Sequence, residues 1–264
     1  MKKIVIVFFL LLPVISSAEI YQFKNKQGIT TLSDKPKGHS SRQPLSVTVK
    51  KVFDGDTFLS KSGIKFRLLG IDTPETPRRS KPGDYYGKEA KRELSRLILK
   101  KRVYLEYDKR VQDDYDRFLV FVRTSNGVSV NEHLLKNGFA RLFVIPPNLS
   151  KINEFKSLET EARNSEQGLW QNPEEREVIS SSEAWKYQGK IKFVRGQITQ
   201  LNKKKKGTEL VFDDGKFVAY IYKQNFSYFQ PLEQYIGKVI TIKGKIKRKV
   251  KHSTTVFFHP IQLY

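Results

Sequence analysis

The sequence predicts an α+β, mainly β fold: a five-stranded barrel carrying three helices, followed by a second small five-stranded barrel. Three observations predict it. Within residues 45–170, "LSVTVKKVF", "IKFRLLGI", "VYLEYD" and "RFLVFV" alternate apolar and polar side chains at the two-residue period of a strand. Strands come first there and helices follow, the order of a sheet closed on itself with helices packed outside. After a charged stretch the strand pattern starts again and runs through residues 183–264.

Residues 1–18 read as a signal peptide. Lys2 and Lys3 precede the apolar run "IVIVFFLLLPVI", and Ser16 and Ala18 are the small residues before a cut after Ala18. An uncleaved anchor fits less well, because Pro13 interrupts a run already too short to span a bilayer. The expectation is export, to a periplasm or beyond, with no stable membrane association once the leader is removed. Residues 19–44 alternate around "NKQG" and then dissolve into Pro, Gly and Ser, a small hairpin followed by a linker. With "IYQF" and "LSDKP", this piece resembles the short N-terminal module of unknown function found on many exported bacterial proteins.

In residues 45–170, "DGDT" and "KSG" join the first strands, and "GKEAKRELSRLILKKR" places Ala90, Leu94, Leu97 and Ile98 on one helical face. "SNG" predicts a tight hairpin into "VSV". Asn131 is expected to cap a short helix, "EHLLKNG", closed by Gly138. A last helix spans "SKINEFKSLETEARN", with Ile152, Phe155, Leu158 and Ala162 facing inward. Residues 171–182, around "NPEEREVISS", read as a charged linker. In residues 183–264, five strands are interrupted once by a predicted helix, "NFSYFQPLEQY", and this order resembles a small oligonucleotide-binding (OB) barrel.

The formal net charge is +22, and residues 171–264 alone hold 18 Lys and Arg against 8 Asp and Glu. Both halves therefore suit a polyanion, whether nucleic acid, anionic lipid or acidic polysaccharide. The absence of cysteine excludes disulfides, a lipoprotein anchor at the cut and a thiolate zinc site. His39, His133, His252 and His259 lack ligand spacing, which argues against a histidine-driven site.

Taken together, "DGDT" at 54–57, "FRLLGIDTPE" at 66–75, "YGKEA" at 86–90, "DDYDR" at 113–117 and "GLW" at 168–170 resemble the staphylococcal nuclease (thermonuclease) family across residues 45–170. The resemblance implies a five-stranded OB-like barrel with three helices and a phosphodiesterase acting on DNA or RNA with low sequence specificity. Asp56 and Asp72 are hard oxygen ligands, and the Thr73 carbonyl can add a third; such a set prefers Ca²⁺ or Mg²⁺. The resemblance assigns Ca²⁺ to Asp56, Asp72 and Thr73. Asp54 reads as ordinary turn chemistry.

Arg67 and Arg117 suit a phosphodiester, since two guanidinium forks can grip non-bridging oxygens as charge builds on phosphorus. The bland reading of Arg67 is a cation neutralising a neighbouring carboxylate. Glu75 follows Pro74, which fixes the backbone so that the carboxylate faces the attacking water, as general base or as orienter. Catalytic roles thus fall on Arg67, Glu75 and Arg117, with in-line hydrolysis and 3′-phosphate products implied by the family.

Two departures stand out. The family usually has glycine before the second arginine, where this chain has Tyr115-Asp116-Arg117. In an extended segment Asp116 would point away from Arg117; in a turn that needs glycine, Arg117 would be displaced. The family's pair of base-contacting tyrosines falls at Phe143 and Ile145, so one aromatic platform remains. Tyr115 and Phe143, with Arg78, Arg79 and Lys81 of the loop "TPRRSKPGDYY", form the expected substrate-binding set. In the second barrel the "KKKKG" run at 203–207 and "KGKIKRKVKH" point to polyanion binding, while Phe212, Phe217, Tyr220 and Tyr222 fit core positions better. The expected protein is a monomer. The alternatives are a catalytically idle nucleic-acid binder and an envelope module gripping anionic glycans or lipids.

Overall fold

A computed structural model of the 264-residue chain describes residues 21–24, 30–33, 43–77, 82–229, 231–249 and 252–264. Residues 1–18, read above as a signal peptide, the segment "NKQG", and Arg78, Arg79 and Lys81 lie outside the described residues. At the N-terminal end, β1 (Tyr21–Lys24) pairs antiparallel with β2 (Thr30–Ser33) and with β3 (Gln43–Pro44).

The first barrel contains β4 (Ser46–Val52), β5 (Thr57–Ser60), β6 (Lys65–Leu68), the two-residue β7 (Ile71–Asp72), α1 (Gly87–Ile98), β8 (Arg102–Glu106), β9 (Phe118–Thr124), α2 (Val130–Lys136), β10 (Arg141–Leu142) and α3 (Ile152–Asn164). The closed order is β4-β5-β6-β9-β8, with β6 and β9 parallel and the other pairs antiparallel. Closure leaves no unpaired edge and fills the interior with alternate side chains, among them Val49, Phe58, Phe66, Leu68, Val103 and Val120. α1 seats Ala90, Leu94, Leu97 and Ile98 on this core, the face that its periodicity marks.

Two local expectations are corrected. "VSV" does not form a returning strand: only an isolated bridge, Arg123 to Ser129, follows the "SNG" turn before α2 begins at Val130. Asn131 is therefore inside α2 rather than its cap. Fully buried, it accepts from Val122 N (3.0 Å) and donates to Leu69 O (2.8 Å), tying α2 to β9 and to the end of β6. A buried amide so placed satisfies backbone groups that the closed barrel cannot pair by itself.

The segment 171–182 is folded. α4 (Pro173–Arg176) is capped by Asn172, and β11 (Val178–Ser180) runs parallel to β12 (Ile191–Lys204). β12 then pairs with both β13 (Gly207–Phe212) and β15 (Val239–Lys245); β14 (Phe217–Tyr222), β16 (Lys247–Arg248) and β17 (Ser253–Val256) complete a curled half-barrel. Instead of one α-helix, "NFSYFQPLEQY" forms two short 3₁₀ turns, Lys223–Tyr228 and Leu232–Tyr235, divided at Pro231. Phe212 and Phe217 are core residues, as expected, but Tyr220 is only half-buried and Tyr222 is exposed, so neither takes the core position expected for it.

A buried clamp joins the barrels. Glu159 of α3 is fully buried, although the helical pattern gives no reason for a carboxylate there. It accepts from Lys243 Nζ of β15, from Tyr264 Oη and from Leu142 N (2.7 Å). Burial alone would raise its pKa, but the Lys243 charge and these three donors hold it below the usual carboxylate range. Tyr264 packs edge-on to Phe193, which also meets Trp170 of the "GLW" segment, and Arg163 lies over both Phe193 and Tyr264.

Removing one partner of a buried pair strands the other charge. Lys243→Met is expected to cost about 3–5 kcal/mol, read from urea unfolding. Burial also brings the nearby Lys156 ammonium, which donates to Leu263 O, down to about 7 from its ordinary 10.5. Between those values the unfolded chain binds more protons than the native one, so this group makes stability rise with pH from 7 towards 10.5. Lys156→Met should flatten that rise in unfolding free energies measured across the same window.

Candidate active site

The site lies on the rim of the first barrel, where β5, β6 and β7 end close together. Its first part is the turn between β4 and β5. A Cβ on Gly55 would come within 2.7 Å of Ala90 Cβ and 2.8 Å of Thr73 Cβ, so only glycine lets the turn press against α1 and Thr73. That contact buries Asp56. Its Oδ2 accepts from Thr73 N (3.0 Å) and Thr73 Oγ1 (3.1 Å), and its Oδ1 accepts from Thr57 Oγ1 (3.0 Å).

Arg67 stands opposite Thr57 in the β5–β6 register and extends over the same rim. Its Nη1 pairs with Asp56 Oδ2 at 2.8 Å and its Nη2 with Asp72 Oδ1 at 2.9 Å, with the guanidinium side chain only 11% exposed. The neutralising reading of Arg67 is thus correct as far as it goes, and one fork serves two carboxylates. Asp54 makes the expected turn bond, accepting from Asp56 N (3.3 Å), yet it is buried rather than solvated. Burial, reinforced by the neighbouring Asp56 charge, pushes its carboxyl up to about 7. Burial raises Asp72 as well, against the opposing pull of Arg67. These acids are short of positive charge even with Arg67 in place.

Glu75 lines one hollow with Asp72 and Thr73 and adds like-charge repulsion to Asp72. Its backbone is fixed on both sides. The amide donates to Asp84 Oδ2 (3.3 Å), the carbonyl accepts from Asp84 N (2.9 Å), and a Cβ on Gly87 would stand 2.4 Å from that carbonyl oxygen. The "YGKEA" glycine therefore lets the start of α1 close against Glu75.

Arg117 is bound within its own turn. Residues 113–117 form a tight turn, with Asp113 Oδ1 accepting from Tyr115 N (2.9 Å) and Arg117 N (3.0 Å). Asp116 adopts φ 58°, the left-handed region, so the extended alternative is wrong and the turn alternative is correct. Aspartate tolerates this conformation better than most residues, which is how the turn survives without glycine. The Arg117 guanidinium is bound by Asp113 at 2.7–2.8 Å and lies over the Tyr115 ring, itself 78% exposed. A second guanidinium that acts electrostatically on Asp72 is Arg141, its register partner across β7 and β10. Sequence reasoning passed over Arg141, because nothing in "FARLF" announces that pairing. Arg141 is buried and paired with Glu175.

Phe143 is exposed on the same side, with its amide bonded to Gly70 O (2.9 Å), and Ile145 is similarly exposed. His133 pairs with Glu93 (2.7 Å) and His259 caps a short turn, so neither serves the site. Among the described residues there is no group of three or more His, Cys, Asp or Glu able to hold a metal ion.

Comparison with known proteins fits this rim. The profile described as "Staphylococcal nuclease homologue" matches residues 65–172. The thermonuclease of Staphylococcus hyicus is 34% identical over 141 residues, 52% of this chain and 83% of that protein. The chain belongs to the staphylococcal nuclease family. Within it, the thermonuclease of Staphylococcus intermedius is 36% identical over 129 residues, covering 48% of this chain and 76% of its own length. The endonuclease YncB of Bacillus subtilis is 34% identical over 140 residues, covering 51% and 66%. The profile match ends at residue 172, before the strands of the second half-barrel begin.

Two substitutions check this geometry. Asp116→Gly removes the left-handed strain and should stabilise the protein by about 1 kcal/mol, visible as a higher melting temperature. Gly55→Ala forces the Asp56 turn away from α1 and should cost about 1–3 kcal/mol by the same measurement.

Proposed function

We propose that this chain is an exported nuclease that hydrolyses phosphodiester bonds of DNA or RNA with calcium bound and low sequence specificity, leaving 3′-phosphate ends. The observation that carries the reading is the Arg67 fork spanning Asp56 and Asp72 on the rim of a family barrel. Relatives named as thermonucleases and an endonuclease support it.

The donor set suits a hard cation. Asp56, Asp72 and the Thr73 carbonyl would hold Ca²⁺, two carboxylates and a peptide oxygen with the remaining positions left to water. Burial raises the Asp54 and Asp72 carboxyls, which is the electrostatic mark of a site that favours added positive charge. When bound, the ion supplies Lewis-acid stabilisation of charge developing on the phosphate.

The protein's own groups do the rest. Arg67, positioned by the two aspartates, presents its fork to a non-bridging phosphoryl oxygen, where charge increases at the transition state. Glu75, exposed at the mouth and fixed by its backbone, takes a proton from the attacking water. Arg117 engages the phosphate by exchanging Asp113 for a second anion, with Tyr115 beside it as an aromatic surface. Phe143 offers a base a stacking face. Arg78, Arg79 and Lys81, which follow Glu75 closely in the sequence, supply further charge. The signal sequence of residues 1–18 supports export.

One observation favours the idle-binder reading: Asp113 already satisfies Arg117. Cleavage of DNA by the purified protein with calcium, and its loss with chelator, decides between them. Arg67→Ala is expected to lower kcat about 10²-fold or more. Arg117→Ala should do likewise if the exchange occurs, and an unchanged kcat would show that Arg117 stays with Asp113.

A further inference from the structure

The second half-barrel stands directly against the catalytic rim. A hollow of about 260 Å³ between the two units is lined by Asp72, Arg141 and Phe143 of the first and by Lys245, Lys247 and Phe258 of the second, among others. Lys245 and Lys247 are exposed, and no ion pair holds either ammonium among the described residues. The lysines on the opposite flank are engaged: Lys192 is buried and paired with Glu177 (2.8 Å), and Lys190 lies 4.0 Å from Asp84. The "KKKKG" run, by contrast, borders a separate hollow with Phe226 and Phe229. Only one face of the second unit thus offers uncommitted positive charge beside Asp72.

That face is rigidly placed. The clamp of Lys243 and Tyr264 on Glu159 fixes β15, whose last residue is Lys245. Gln262 Oε1 accepts from Phe258 N (2.7 Å) while its Nε2 donates to Lys243 O (2.9 Å), so the Phe258 backbone is bound to the same strand. Aromatic surface, free ammonium groups and a narrow gap beside a phosphodiesterase rim together match one nucleotide of a single strand. Stacking takes the base and lysine takes the phosphate. The volume is too small for a duplex, since pockets that hold only drug-sized ligands already measure about 300–1,000 Å³.

We propose that the second half-barrel builds a nucleotide subsite next to the scissile bond, with Lys245 and Lys247 as phosphate-binding residues and Phe258 as a stacking surface. The chain's preferred substrate is then a single polynucleotide strand threaded between the two units. The inference rests on the nuclease reading but is tested without catalysis.

Binding of a dye-labelled oligothymidylate to the full-length protein is followed by fluorescence anisotropy in chelator, across a salt series. Lys245→Gln with Lys247→Gln should weaken binding about ten-fold at low salt. Two lost phosphate contacts should also reduce the slope of log affinity against log salt by about 1.4, at roughly 0.7 per contact for single strands. Lys245→Arg with Lys247→Arg should restore both. Phe258→Leu, which keeps an apolar side chain of smaller volume, should weaken binding without changing the slope. Wild-type affinity and slope in the glutamine variant would overturn the proposal, as would duplex DNA binding as tightly as the single strand. Absence of cleavage with calcium in a protein that passes these binding tests would instead overturn the nuclease reading alone.

Discussion

The arrangement of the rim depends on one guanidinium. Arg67 is almost wholly buried and would be costly alone; it is tolerated because Asp56 and Asp72 meet both ends of its fork. The reverse holds as well, since neither carboxylate has another cation at hydrogen-bonding distance among the described residues. This mutual dependence sets the ends of β5, β6 and β7. It brings the turn at Gly55 against Thr73 and leaves Asp54 and Asp72 with burial that one cation does not fully compensate. A site organised this way has its electrostatics built before any ligand arrives, which is the condition for stabilising charge without reorganisation.

Around this rim the fold divides its work between closure and attachment. Hydrogen-bonded closure of the five strands makes the first barrel self-sufficient in backbone pairing, with Asn131 completing what the strands omit. Attachment of the second unit uses side chains instead: an ion pair, a phenol and stacked aromatics. The two-residue strands β7 and β10 lie between these systems. Glu159 bonds to Leu142, whose neighbour Arg141 stands opposite Asp72 in the β7–β10 register, so the interdomain clamp and the rim share a segment.

What was legible in the sequence follows from range. Alternating strands and the Ala90, Leu94, Leu97 and Ile98 face depend on local periodicity, and they emerged where expected. Asp56, Arg67 and Asp72 were legible because they stand at the ends of adjoining segments in a recognisable order, and the structure does bring them together. Glu75 lines the same hollow, whereas Arg117 is bound by Asp113 in a turn whose left-handed residue, Asp116, no local pattern announces. Asp113, four residues before Arg117, was a visible candidate partner in "DDYDR". Asn131 was misread because a cap and an interior amide have the same local signature. Arg141, Glu159 and Lys243 were illegible for a different reason: each depends on a partner distant in sequence, and no local pattern encodes such a pairing.

Glu159 carries a consequence for how this protein can change over time. One carboxylate inside the first barrel's third helix is neutralised by side chains that belong to the second unit. Loss of that unit would strip Glu159 of its ammonium and phenol and leave only the Leu142 amide, and gain of a different one would demand an equivalent cation and donor in the same places. The two halves, though each has its own core, are therefore bound to descend together, and recombination between them is penalised at Glu159.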